Sequence, residues 1–333
     1  MIRVAINGFG RIGRHALKAA WEKKGLQVVA INDLTDTKTL AHLLKYDTAY
    51  PDFPHKISHD ERHIIVDGKK VEAFAEKDPA KLPWKKLKID VVIESTGRFT
   101  SQEGASLHIT AGAKKVVLSA PGKGEGIAPY LRGVNDNGYK GETIVDNASC
   151  TTNSVAPIML TLEKIFGVAK AMMSTVHAYT QDQNLQDGPH KDLRRARAAA
   201  QNIIPTTTGA AVAVTRIMPS LKNKFDGVSF RVPTVTVSLT DLTVLLKKKT
   251  TVEEINKALT AASKTYLKGV MAVTNEPLVS SDFIGNPYSA VVDLSFTNVV
   301  DGDLVKIVAW YDNEWGYANR LVEMVEIVAS KAH

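Results

Sequence analysis

The first residues with the types and spacing for chemistry are Gly8-Phe9-Gly10-Arg11-Ile12-Gly13, a G-x-G-x-x-G run. They lie between an apolar stretch at residues 2–7 and an amphipathic one with Ile12, Ala16, Leu17, Ala20 and Trp21 on one stripe and Arg14, Lys18 and Glu22 opposite. Glycines at that junction tighten the turn and let the backbone approach a pyrophosphate, whose charge faces the N–H groups and positive dipole end of the helix. Asp33 ends the next apolar run, 33 − 13 = 20 residues past the last glycine. There a carboxylate would accept both hydroxyls of a ribose and repel a 2′-phosphate, which predicts NAD rather than NADP. The plainer alternative is a glycine turn followed by a helix-capping aspartate.

Cys150 is the only cysteine. Residues 147–153 follow an apolar strand pattern and precede Val155, Ile158, Met159, Leu162 and Ile165 at helical spacing, so the thiol falls at or near a helix N-terminus. Backbone N–H groups and the dipole there stabilise a thiolate, and a nearby imidazolium would lower the thiol pKa further. His177 is the partner candidate because it ends the apolar run 172–176 of a following strand. A small buried hydrophobe and a hydrogen-bonded core histidine are the other readings of this pair. A thiolate used with a nicotinamide implies aldehyde oxidation: the sulfur adds to the carbonyl, the thiohemiacetal surrenders hydride, and a thioester remains.

Other clusters are more ambiguous. His55, His59 and His63 recur every four residues, but Pro51 and Pro54 precede them and a strand and turn at 64–68 follow, which predicts a surface hairpin rather than a metal site. The run 191–197, KDLRRAR, reads as a solvated helix start, an interface or a phosphate site. Thr206-Thr207-Thr208-Gly209 reads as a turn able to hold an oxyanion or as an ordinary threonine-rich turn.

The elements that must position these residues alternate strand and helix up to about residue 150. Apolar runs at 26–31, 91–93, 116–118 and 143–145 and a short helix around 40–44 describe a doubly wound α/β sheet. Beyond it, Val228, Phe230, Val232, Val235, Val237 and Leu239 alternate with polar residues, as in a half-buried antiparallel sheet, and helical spacing returns at 319–331. At 333 residues two domains are expected. They are an α/β Rossmann dinucleotide-binding domain over 1–149 and 316–333, and an α+β catalytic domain with a largely antiparallel sheet over 150–315. Ordinary composition, 44% hydrophobic and 23% charged, excludes disorder. No apolar stretch is long enough to span a bilayer, and no signal peptide is read at the start. A lone thiol predicts a reducing, cytoplasmic setting. The net charge, 42 − 35 = +7, suits nucleic acid and small anions equally, but no RNA-binding motif or interleaved basic and aromatic run accompanies it.

Eight segments carry a closer likeness: NGFGRIGR at 7–14, LLKYD at 43–47, ESTGRF at 94–99, ASCTTN at 148–153, TVHAYT at 175–180, IPTTTGA at 204–210, RVPT at 231–234 and YDNEWGY at 311–317. On these the chain resembles the phosphorylating glyceraldehyde-3-phosphate dehydrogenase family over essentially its whole length. The resemblance implies oxidative phosphorylation of glyceraldehyde 3-phosphate to 1,3-bisphosphoglycerate with NAD, with Cys150 as nucleophile and His177 as base and later acid. It implies one anion pocket for the substrate's phosphate, from Thr180, Asp182 and Arg231 with Arg195 nearby. A second, for inorganic phosphate, would use Ser149, Thr151, Thr208 and Gly209 and share Arg195. For the cofactor it implies Gly8, Gly10 and Gly13 in the turn, backbone N–H groups of Arg11 and Ile12 at the pyrophosphate, Asp33 at ribose, Lys77, Thr96 and Ser119 along the adenosine and nicotinamide sides, and Asn313 at the carboxamide. A homotetramer is implied, and no metal.

Three positions depart from the usual pattern. Ser154 stands where many members carry a second cysteine, Asp187-Gly188-Pro189 replaces Asp-Leu-Pro, and Val235-Thr236 follows RVPT where a second proline is usual. The last departure resembles erythrose-4-phosphate dehydrogenases, whose catalytic loop usually lacks the threonine present here as Thr180. That enzyme is the alternative, and a basic nucleic-acid-binding protein the distant one.

Overall fold

The computed structural model describes residues 1–330. The chain divides into two compact units, Met1–Ala148 with the chain from Ala318 onward, and Ser149–Tyr317. Nine strands of the first unit share one sheet: β1 (Ile2–Asn7), β2 (Leu26–Asn32), β3 (Ile57–His59), β4 (His63–Val66), β5 (Lys69–Phe74), β6 (Val91–Glu94), β7 (Lys115–Leu118), β8 (Ala128–Pro129) and β9 (Ile144–Asp146). Their order is β3-β4-β5-β2-β1-β6-β7-β9-β8. From β5 to β8 every neighbouring pair is parallel, whereas β3, β4 and β5 form antiparallel hairpins. Parallel neighbours need crossovers, and α1 (Arg11–Trp21), α2 (Thr37–Lys45) and α3 (Gln102–Thr110) lie in them. All four residues of β6 and of β7 are buried, as strands covered on both faces require. Winding reverses beside β1, so a ligand crevice is expected beyond the C-terminal ends of the strands there.

A buried polar network braces that end of the sheet. Trp84 Nε1 donates to His108 Nδ1 at 3.0 Å, which leaves Nε2 to donate to Glu94 at 2.9 Å. Asn7 donates to the same carboxylate at 2.6 Å and accepts from Asn32 at 2.7 Å, tying the ends of β1, β2 and β6 together. The three spaced histidines do occupy a hairpin region: His55 bonds Glu22 and Asp67, and His63 bonds Asp60. Lys18, opposite the apolar stripe of α1, is buried, with its ammonium 5.6 Å from the Phe53 ring centre. Its burial pulls the ammonium pKa down.

The second unit holds β10 (Val168–Ala178), β11 (Ile204–Thr207), β12 (Phe225–Val232), β13 (Ser238–Leu246), β14 (Met271–Thr274), β15 (Ala290–Val300) and β16 (Leu304–Tyr311), in the order β11-β12-β10-β13-β16-β15-β14. Only β10 with β12 and β14 with β15 run parallel; the other neighbours are antiparallel. Its helices are α4 (Cys150–Ile165), α5 (Ala210–Ile217) and α6 (Val252–Lys264). The last element of the described residues is α7 (Trp315–Ser330), which starts four residues earlier than the spacing from Asn319 suggests; Lys331 lies outside the described residues.

Two sequence readings need correction here. The alternation at 228–239 spans two strands with a bend between them; on β12 its apolar side faces outward, Val228 being 44% exposed while Ser229 is buried, whereas Val237 after the bend is buried. A period of two reports a strand but not which face is covered. Residues 191–197 form turns rather than a helix start, and the threonine run is no single turn, since Thr206 and Thr207 lie in β11 and Thr208 precedes α5. No helix among the described residues is long and apolar enough to cross a membrane.

Candidate active site

In the first unit the candidate cofactor residues follow the C-terminal ends of parallel strands: Gly8 after β1, Asp33 after β2, Lys77 after β5, Thr96 after β6 and Ser119 after β7. The glycines differ in what they do. Gly8 has φ +93°, and a Cβ there would lie 2.6 Å from Thr96 N, whereas a Cβ on Gly13 would collide with the Gly8 carbonyl oxygen. Both therefore serve the turn and the approach of α1 to β1. At Gly10 nothing lies within 4 Å of a Cβ, so this glycine faces open space at the head of α1. The helix has no side-chain cap and no acidic residue in its first turn, which suits an anion.

Asp33 is fixed by the loop it serves: Oδ2 accepts from Phe9 N at 2.9 Å and Oδ1 from Thr35 N at 3.1 Å. The Arg11 guanidinium pairs with Asp47 at 2.5 Å, an arrangement compatible with a role for Arg11 through its backbone. Thr96 N donates to Glu94 at 2.8 Å, and Ser119 N donates to the Glu94 carbonyl at 2.9 Å. Lys77 is exposed. An open glycine cradle at a helix head, with a held carboxylate at the end of the next strand, fits a dinucleotide.

In the second unit Ser149 caps α4, its hydroxyl accepting from Thr152 N at 3.1 Å, so that Cys150 is the first helical residue. The next strand, β10, carries His177 to the same place, with Nε2 3.5 Å from Cys150 Sγ. Arg231 is directly beside His177 in the β10–β12 register, and its Nη1 lies 2.8 Å from His177 Nδ1. Behind the pair, Tyr311 Oη is 2.9 Å from both Thr151 Oγ1 and Thr175 Oγ1, and so fastens the start of α4 to β10.

These surroundings shift both pKa values. Burial pushes the Cys150 thiol up, against the Arg231 charge and hydrogen bonds from Thr151. Burial, with the Arg231 charge, pulls His177 down to about 3, against the Ala178 carbonyl and Glu314. Burial therefore works against the charged form of each group taken singly. A neutral imidazole is the form that can take a proton.

The remaining candidates form a second group. Arg195 pairs with Asp182 and donates to Thr206 Oγ1 at 2.9 and 3.1 Å, with Asp192 at 3.4 Å. Burial raises the Asp182 carboxyl, but the Arg195 bond and charge outweigh it and bring it below its usual value. Thr180 bonds Gln183, its N–H donating to Oε1 at 3.4 Å. Thr208 and Gly209 stand at the head of α5, and no hydrogen bond among the described residues ties them to Ser149 or Arg195. Asn313 is buried, and its Oδ1 accepts from Ser238 Oγ at 3.0 Å.

Sequence reasoning passed over Tyr311 and Ser238. Tyr311 lies within a quoted motif, as does Thr206, read only as part of a threonine turn, but only the fold shows what they touch. Ser238, which also accepts from Ala178 N at 3.1 Å, carried no signal.

Comparison with known proteins accounts for both units. Residues 2–102 match the glyceraldehyde 3-phosphate dehydrogenase NAD binding domain, and residues 149–313 match the C-terminal domain of the same family. The glyceraldehyde-3-phosphate dehydrogenase of Thermotoga maritima is 56% identical over 331 residues, covering 98% of this chain and 99% of that one. That of Geobacillus stearothermophilus is 51% identical over 332 residues, covering 99% of each. The chain therefore belongs to the glyceraldehyde 3-phosphate dehydrogenase family and is an NAD-dependent oxidoreductase.

Proposed function

We propose that this protein oxidises glyceraldehyde 3-phosphate to 1,3-bisphosphoglycerate with inorganic phosphate, by covalent catalysis at Cys150. The observation that carries the reading is the trio at the head of α4, with Cys150 Sγ 3.5 Å from His177 Nε2 and Arg231 Nη1 2.8 Å from Nδ1 of the same ring. NAD, when bound, supplies the hydride acceptor. His177 takes the thiol proton as sulfur adds to the aldehyde carbon and passes it to the carbonyl oxygen as acid; it takes that hydroxyl proton back as the hydride departs, and returns it to the sulfur when phosphate displaces the thiol. The resulting thioester on Cys150 is attacked by phosphate, and the acyl phosphate leaves as the thiol is restored.

Arg231 suits the substrate's own phosphate. Its Nε is buried without a hydrogen-bond partner, and no ion pair among the described residues holds it. Thr180, Asp182 and Arg195 complete that pocket in this reading. Ser149, Thr151, Thr208 and Gly209 serve the attacking phosphate, which explains transfer to phosphate rather than hydrolysis. Gly8, Gly10, Arg11, Ile12, Gly13, Asp33, Lys77, Thr96, Ser119 and Asn313 hold the cofactor. The outward apolar face of the second sheet supports a homotetramer, and the single thiol a reducing cytoplasm.

The test is a spectrophotometric assay of glyceraldehyde 3-phosphate, erythrose 4-phosphate and unphosphorylated glyceraldehyde, with and without phosphate. Glyceraldehyde 3-phosphate with phosphate should be turned over best. Arg231→Leu should lose on the order of tenfold to a hundredfold in efficiency with it, the worth of a charge-assisted hydrogen bond, and little with glyceraldehyde. Equal losses with both would assign Arg231 to the fold, and preference for erythrose 4-phosphate would favour the related enzyme.

A further inference from the structure

Glu94 ends β6, is 2% exposed and takes no part in the chemistry at Cys150. A carboxylate so deeply placed is tolerated only when its oxygens are engaged, and here donors meet both of them. Oε1 accepts from Thr96 N at 2.8 Å and from Thr96 Oγ1 at 2.5 Å. Oε2 accepts from Asn7 Nδ2 at 2.6 Å and from His108 Nε2 at 2.9 Å. Those two nitrogens are 3.4 Å apart, as two donors converging on one oxygen must be.

Neither donor on the Oε2 side can be turned round. The Trp84 indole has only an N–H to offer His108 Nδ1, which keeps the imidazole proton on Nε2. Asn32 is fixed by backbone, since its Oδ1 accepts from Glu76 N at 2.9 Å and its Nδ2 donates to the Glu76 carbonyl at 2.9 Å. The same Nδ2 donates to Asn7 Oδ1 at 2.7 Å, which leaves Asn7 with its Nδ2 toward Glu94. On the Oε1 side, Thr96 N is a donor by nature. Its segment is bound to the glycine turn, because Ser95 Oγ donates to the Gly8 carbonyl at 2.7 Å and a Cβ on Gly8 would lie 2.6 Å from Thr96 N. Only a side chain that accepts on both sides satisfies this arrangement.

We propose that Glu94, oriented by His108, is a positioning residue for the dinucleotide. One buried carboxylate sets the Gly8 turn and the Thr96 segment, and through Asn7 and Asn32 the segments that carry Asp33 and Lys77. This role rests on the reading of those segments as the cofactor site. The charge of Glu94 works in the opposite direction. A negative group at the strand ends behind an anion-binding turn disfavours a pyrophosphate, so on electrostatics alone Glu94 hinders NAD. The geometry it imposes outweighs that repulsion.

The isosteric substitution Glu94→Gln separates the two effects. It removes the charge, but its one oxygen serves one side only, and its amide N–H groups must face the donors of the other. If charge decides, the variant binds NAD more tightly. If positioning decides, calorimetric titration of the full-length protein shows the NAD dissociation constant raised about tenfold, the effect of a buried donor left facing another donor. The Michaelis constant for NAD should rise in parallel, while kcat at saturating NAD stays within about twofold of the parent. Tighter or unchanged binding overturns the proposal, and so does a fall in kcat at an unchanged NAD constant.

If Glu94→Gln does not fold, His108 carries the test. His108→Gln keeps an N–H donor near the place of Nε2 and should bind NAD close to the parent value, whereas His108→Leu should lose about threefold to tenfold. Equal constants for the parent and both variants, or equal losses in both variants, would reduce the histidine to packing and overturn its part. Asp33→Gly, measured beside them, tests the reading on which the role rests. A loss of NAD affinity there with none at Glu94 removes the positioning role and leaves the cofactor site standing. A loss at Glu94 with none at Asp33 withdraws the ribose assignment and leaves the positioning role, and no loss at either removes both.

Discussion

Cys150 and His177 have opposite solvation problems that are solved together. Burial disfavours the thiolate and the imidazolium separately, yet at 3.5 Å the two charges can form as a pair when one proton crosses between them. Cys150→Ser should therefore abolish turnover while leaving NAD binding and the melting temperature nearly unchanged, because a serine alkoxide is far harder to form; substantial residual turnover would exclude the covalent route. His177→Asn should retain a slow reaction, about 100- to 10,000-fold down, with thiol alkylation slowed in parallel. The same histidine gives stability a pH dependence of known sign. Unfolded, it titrates near 6.5, and folded near 3, so between those values the unfolded chain binds the extra proton. Stability should fall as pH falls through that window, by about 1.4 kcal/mol per unit from this one group. Urea midpoints of the parent and His177→Asn should converge toward low pH, and parallel curves would contradict the depressed value. At Asp33, whose carboxylate is aimed by the Phe9 amide, substitution by Gly should narrow the preference for NAD over NADP, measured as a ratio of efficiencies.

Among the elements, the turn between β1 and α1 separates glycines needed by the fold from the one left for a ligand. Gly13→Ala drives a methyl into the Gly8 carbonyl and should lower the melting temperature whether or not NAD is present. Gly10→Ala meets no atom and keeps a negative φ, so the protein should stay folded while NAD affinity drops; calorimetric titration beside thermal melting separates the two. A drop in stability for Gly10→Ala equal to that for Gly13→Ala would deny this division of labour. The G-x-G-x-x-G spacing was legible in the sequence because turn and dipole requirements are local. Its three distinct reasons were not, since each depends on which atoms of β1 and of the segment after β6 come near.

For the molecule as a whole, the outward face of the second sheet carries Met172 at 56%, Val228 at 44% and Val176 at 37% exposure, together with half-buried Phe230. In the proposed homotetramer this apolar area serves as an association surface. Met172→Lys with Val228→Lys should shift the protein to smaller species in sedimentation velocity while preserving its circular dichroism spectrum. An unchanged oligomer would place the contact elsewhere. The excess of seven positive charges, which composition alone could not assign, includes Arg195, held by Asp182, and Arg231, turned toward His177.

The sequence by itself determined the two-unit α/β architecture, the glycine turn with its acid twenty residues on, and the placing of Cys150 at a helix start, because each follows from periodicity, turn chemistry and short-range spacing. Tertiary structure decided what touches what. It sent the apolar side of β12 outward, buried Lys18 against Phe53, and set Tyr311 Oη between Thr151 and Thr175. It also placed Arg231 beside His177 across 54 residues of chain, where its charge adds to burial in lowering the imidazole's pKa. Local pattern reports the form an element takes. Contacts between distant segments, and the desolvation they impose, exist only once the sheet register is set.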